Sequence, residues 1–196
     1  MNRPAFFAAV RSVFGPLAAT QVAGFTLILD QAEKVKTPLD RLTYMLATTY
    51  WETGRTMQPV AEANWITNAE AWRKTHLRYW PFYGRGYVQL TWDYNYKKAS
   101  DYFRTVLGIN VDFVKNPELV MRPEYAVVIL FVGMEQGWFT GKKLADYMDG
   151  IDEGDVEDMR EMVEARRIIN GVDKKVEIAK IGLVFEKALR TSGYGQ

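Results

Sequence analysis

Apolar residues recur at three- and four-residue intervals along most of the chain, the spacing of amphipathic helices. That spacing predicts helices over 4–13, 21–34, 38–52, 94–107, 123–136, 142–148, 156–169 and 174–189. Thr37-Pro38 reads as an N-cap followed by proline at the first helical position. Gly54, Gly108, Gly137 and Gly171 follow helix ends, where a left-handed residue is wanted. Residues 55–92 break the pattern. They lack a helical period and are rich in aromatics, so loops and a short strand pair are expected there. No internal repeat, low-complexity segment or linker interrupts the chain, and the expected fold class is mainly α.

Within 83–96 the polar and large residues alternate after two glycines. If the segment after Gly86 is extended, Gln89, Thr91, Asp93 and Asn95 share one face, and Val88, Leu90, Trp92 and Tyr94 back it. A row of neutral hydrogen-bonding groups suits a hydroxyl- and amide-rich ligand such as a sugar polymer. Phosphate would call for cationic donors instead.

Composition narrows the possibilities. At 196 residues the chain is expected to form one domain with an adequate core. It has no cysteine, which excludes disulfides, thiolate metal sites and a cysteine nucleophile. Its 25 basic and 24 acidic residues give a net charge of +1, with no global bias toward nucleic acid or membrane. Apolar runs at 5–10 and 23–29 are separated by Arg11 and Gln21, and neither approaches the ~20 residues of a membrane span. No signal peptide is read.

Two carboxylates carry candidate chemistry. On the 38–52 helix, Leu42, Met45, Leu46 and Thr49 form one face, and Glu52 lies seven positions after Met45, nearly on the same azimuth. A glutamate ending an apolar stripe at the negative end of a helix is disfavoured in its charged form. That is the condition a general acid requires. Glu62, ten positions on, stands in a more solvated stretch where a carboxylate could serve as base. Two carboxylates in unlike settings are the minimum for glycoside hydrolysis. The plainer alternative is that both are solvated surface groups.

Tyr83-Gly84-Arg85-Gly86-Tyr87-Val88-Gln89-Leu90-Thr91, with Asn95-Tyr96, resembles the signature of glycoside hydrolase family 19. That family comprises chitinases and related phage and bacterial peptidoglycan-cleaving enzymes. Glu52-Thr53-Gly54 resembles its first catalytic motif, Asn116-Pro117-Glu118-Leu119-Val120 a later loop, and Arg167-Ile168-Ile169-Asn170-Gly171 its late motif. The resemblance implies a lysozyme-like helical domain over 1–196, with two lobes and a small β-hairpin or irregular region lining a groove. It implies Glu52 as general acid, Glu62 as general base and Thr91 as holder of the attacking water. Gln89, Asn95, Tyr83 and Asn170 would bind sugar, and Asp173 and Lys180 would form a network with the acid. No metal or cofactor is implied. The chain departs from the family pattern at Trp51, where histidine is usual, and at Lys180, where arginine is usual.

The remaining candidates are weaker. His76, the only histidine, cannot build a histidine-based zinc site. Gly84-Arg85-Gly86 lacks the third glycine of a nucleotide loop. The acidic 149–161 stretch lacks calcium-loop spacing and is expected to be a turn and helix start. Arg73, Lys74, Arg78 and Arg85 interleave with Trp72, Tyr79, Trp80, Phe82 and Tyr83. Core packing is the first expectation for them, a sugar platform the second, and nucleic-acid stacking a distant third. The expected partner is peptidoglycan, with chitin oligosaccharides second, for a monomer that does not insert stably into membrane. A phage endolysin would stay in the host cytoplasm until a holin released it to the wall. A lytic transglycosylase and a non-catalytic wall-binding module are the rival classes.

Overall fold

The computed structural model describes residues 1–151 and 154–195. Among these the chain runs α1 (Arg3–Phe14), α2 (Ala19–Val35), α3 (Leu39–Glu52), β1 (Val60–Ala61), α4 (Ala69–His76), β2 (Arg85–Gly86), α5 (Asp93–Thr105), α6 (Pro123–Gln136), α7 (Asp155–Ala165) and α8 (Lys175–Thr191). Single 3-10 turns lie at Pro117–Met121, Leu144–Asp146 and Arg166–Ile168.

Two hydrophobic cores form. The larger is built around α3, which is buried without interruption over residues 42–50 and packs along α8. Tyr50 of α3 meets Phe14 and Phe185 at ring separations of 4.8 and 5.6 Å, joining α1, α3 and α8. The second core holds Leu90, Tyr96, Ala99, Phe103, Phe113, Val120, Ile129 and Trp138. Helix α6 serves both, giving Val127, Leu130, Phe131 and Met134 to the first and Ile129 to the second. A helix buried on opposite sides must be apolar nearly all round, which is how α6 reads in sequence.

Gly24 decides how the chain returns from the first core. A Cβ there would lie 1.8 Å from the Met57 carbonyl oxygen. Only glycine lets α2 press against the loop between α3 and β1, the loop that separates Glu52 from Glu62.

Several expectations are corrected. Thr37 is not the cap of α3. Pro38 holds that position, and the Thr37 carbonyl accepts the Tyr194 hydroxyl at 2.7 Å. The aromatic stretch contains the strand pair, antiparallel with Val60 opposite Gly86, but it also contains α4. That helix buries only Arg73, so no apolar stripe announced it. The helix expected over 142–148 shrinks to the 3-10 turn Leu144–Asp146, in which Leu144 alone is buried. The segment after Gly86 is not extended. It turns back tightly, Leu90 pairs with Arg85, and Gln89 and Trp92 take positive φ of 55° and 73°. In the 149–161 stretch, Asp152 and Glu153 lie outside the described residues. Asp155, Glu157 and Asp158 open α7, where carboxylates favour the helix N-terminus. Among the described residues no helix is long and apolar enough to cross a membrane.

The α7–α8 contact buries a pair of acids. Glu186 is 3 % exposed beside Asp158, with Arg190 Nε donating to its Oε1 at 3.0 Å. Burial, reinforced by the Asp158 carboxylate and opposed by Arg190, pushes the Glu186 carboxyl up to about 7. The folded protein then holds a proton there that the unfolded chain releases in the ordinary carboxylate range. Stability therefore falls as pH rises through the window from about 5 to about 7, and is level above it. Thermal melts across that window should show the fall in the wild type and a flatter profile in Glu186→Gln.

Candidate active site

Glu52 is the last residue of α3, where Thr53 and Gly54 turn the chain away. Thr53 Oγ1 donates to the Thr49 carbonyl at 2.7 Å and accepts the Met57 amide at 3.0 Å, which fixes the helix end. Glu52 Oε1 accepts a hydrogen bond from Arg166 Nη1 at 2.6 Å. Arg166 is 2 % exposed, and its Nε donates to the Asp173 carbonyl oxygen at 2.9 Å. The guanidinium is thus held by the 170–174 loop at one edge and holds the glutamate at the other. The sequence suggested a carboxyl isolated at the end of an apolar stripe; the structure shows one paired with a buried cation.

Glu62 follows β1 and faces Gly84, which precedes β2. Its amide donates to the Gly84 carbonyl at 2.7 Å, and its Oε2 accepts the Gly84 amide at 3.0 Å. Its Oε1 accepts the Tyr79 hydroxyl at 2.7 Å, and its carbonyl accepts Arg73 Nε at 2.6 Å. Glu62 is therefore half-buried and clamped, not free in an open loop. Burial, then the hydrogen bond and charge of Glu62, push the Tyr79 phenol up to about 12, so it remains a donor. A Cβ at Gly84 would come 2.7 Å from Gln89 Oε1 and 3.3 Å from Glu62 Oε2, so any larger residue here would displace the Gln89 side chain beside the Glu62 clamp.

The two walls enclose a cleft of about 390 Å³. Glu52, Phe139, Ile169 and Asn170 line it together with Glu62, Tyr79, Gly84, Val88, Gln89, Thr91, Trp92 and Asn95. Polar groups here are partly committed. Gln89 Nε2 donates to the Val60 carbonyl at 3.1 Å, and Thr91 Oγ1 donates to the Gln89 carbonyl at 2.8 Å. Asn95 Nδ2 donates to the Thr91 carbonyl at 3.0 Å, while its Oδ1 is buried without a partner.

Glu52, Glu62, Gln89, Thr91, Asn95 and Asn170 thus meet in one cleft, and three other expected site residues do not. Tyr83 is buried behind the Glu62 wall, its hydroxyl donating to Glu70 at 2.8 Å. Lys180 is exposed on α8, and Asp173 contributes its backbone carbonyl where an acidic side chain was expected. Asp93 is the first residue of α5, and its Oδ1 accepts the Tyr94 amide at 2.8 Å. Trp92, expected as backing, lines the cleft. Arg85 is a packing residue, buried over the Tyr83 ring with its Nη1 donating to the Pro81 carbonyl and the Tyr96 hydroxyl, both at 2.9 Å.

Sequence reasoning missed Arg166, Tyr79 and Phe139. Arg166 had a signal: it lies four positions after buried Met162, a charge continuing an apolar helix face. Nothing distinguished Tyr79 from its aromatic neighbours. Tyr79→Phe removes one hydrogen bond to a carboxylate, and turnover should fall about 10- to 100-fold with the fold intact. Kinetics alongside a thermal melt check both halves of that expectation.

Eight helices around a two-stranded pair, with two separate hydrophobic cores among the described residues, form a mainly helical, lysozyme-like and chitinase-like fold. The chain is similar to the crystal structure of chitinase C from Streptomyces griseus HUT6037, with a TM-score of 0.58 and 22% identity over 95% of this chain and 75% of that one. At that identity the likeness establishes the fold. Sequence comparison with known families and with curated proteins finds no match.

Proposed function

We propose that this protein is a glycoside hydrolase that cleaves β-1,4 bonds between amino sugars of bacterial peptidoglycan. One observation carries the reading: Glu52 and Glu62 line one cleft and are held by unlike partners. In this mechanism Glu52 gives its proton to the leaving sugar oxygen. Arg166 then balances the carboxylate that remains. Each Glu62 oxygen accepts one hydrogen bond and keeps a second acceptor site. One of those receives a proton from the attacking water. The Thr91 hydroxyl proton is already given to Gln89, so its oxygen is left to accept from that same water.

Water entering opposite the leaving group inverts the anomeric carbon. Proton NMR of the first product from soluble glycan strands tests this: the α-anomer should appear first. Initial β-anomer would contradict a water placed between the two glutamates. The ten-residue spacing of Glu52 and Glu62 resembles phage-type members of family 19 and supports an endolysin role, with a holin giving access to the wall. The alternative substrate is chitin.

A further inference from the structure

We propose that Arg78 reads a carboxylate on the peptide stems of the glycan, and so sets a preference for peptidoglycan over neutral chitin. The inference rests on the glycosidase reading above and assigns the substrate class of that same cleft. Arg78 is exposed and makes no ion pair among the described residues. Its guanidinium carbon lies 5.1 Å from the Trp92 ring centroid, and Trp92 lines the cleft. The next residue, Tyr79, holds Glu62 and packs edge-on against the same indole at 5.1 Å. The basic residues around Arg78 separate by environment. Arg73 and Arg85 are buried and spend their donors on Glu62, Glu70, Pro81 and Tyr96. Arg78 is left as a cation on the cleft rim with its donors unspent.

An aromatic face under a guanidinium restrains its plane while leaving the N–H edge open. That edge matches a carboxylate in two parallel hydrogen bonds. Chitin offers only hydroxyls and acetamides. Peptidoglycan carries a lactyl-linked peptide on alternate sugars; the lactyl carboxyl is spent in the amide to that peptide, and the free carboxylates lie further along the stem, within reach of the cleft rim. A strand lying in the cleft would bring one of them past the rim.

The test uses the full chain and soluble peptidoglycan fragments in two forms, with carboxylates free or converted to methylamides. Amidation should raise the wild-type KM about tenfold with little change in kcat, as expected for losing one charge-assisted contact. Arg78→Ala should raise KM on the free form by the same factor. The two changes together should cost no more than either alone. Arg78→Lys should keep part of the preference, and Arg78→Glu should reverse it. Additive losses, or a drop in kcat that is equal on both forms, would overturn the inference and make Arg78 a support for Tyr79. Equal wild-type turnover of both forms would also overturn it while leaving the hydrolase reading intact. If neither form is cleaved, the hydrolase reading itself fails.

Discussion

Glu52→Gln is expected to lower glycan cleavage by about 10²–10⁴-fold, the contribution of a positioned general acid. An amide cannot donate the proton that the leaving oxygen needs, and no other acid on the Glu52 wall can substitute. Phe139, Ile169 and Asn170 are its companions there. The substitution keeps shape, and the amide oxygen can still accept from Arg166, so the melting temperature should change little. Its role as acid has a sharper check. Aryl glycosides with good leaving groups need little protonation, so the loss on them should shrink markedly. A deficit equal on both substrates would make Glu52 a binding group.

Arg166→Ala should be the most damaging change to stability among the site residues. It removes the buried donor that holds Glu52 and leaves that mostly buried acceptor unpaired, at a cost of about 1–3 kcal/mol. It also frees the loop whose Asp173 carbonyl accepts Arg166 Nε. Denaturant titration should show the loss, with activity falling alongside. Arg166→Lys separates charge from shape. Lysine restores a cation but cannot span Glu52 and the Asp173 carbonyl with a rigid fork. It should recover much of the stability and less of the turnover. Full recovery of both would mean that charge alone matters at this position.

How much of this was legible in sequence depended on what marked each element. Helix α6 was bounded correctly because Pro123 and Gly137 stand at its ends and every side of it is apolar. Helix α4 was not, because a short helix that buries one arginine has no stripe to read. The alternation after Gly86 has the period of a strand, yet it arises from a tight turn with left-handed Gln89 and Trp92. A two-residue period does not identify its cause. Glu52 could be placed by its register on α3, and Glu62 by its distance along the chain. The resemblance drew attention to Lys180 for the role of a cation near the acid. The structure puts Arg166 there, from a different helix end, because a long buried side chain in the 3-10 turn that follows α7 comes within 2.6 Å of a carboxylate 114 positions away. Contacts across such separations leave no local pattern.

The central claim is that the two walls of this cleft hydrolyse an amino-sugar glycan. Mass spectrometry of purified peptidoglycan digested in water labelled with heavy oxygen tests it most directly. The account predicts soluble fragments with one labelled oxygen at each new reducing end, and none from Glu52→Gln. Unlabelled anhydro ends, or no soluble fragments from the wild type, would contradict it.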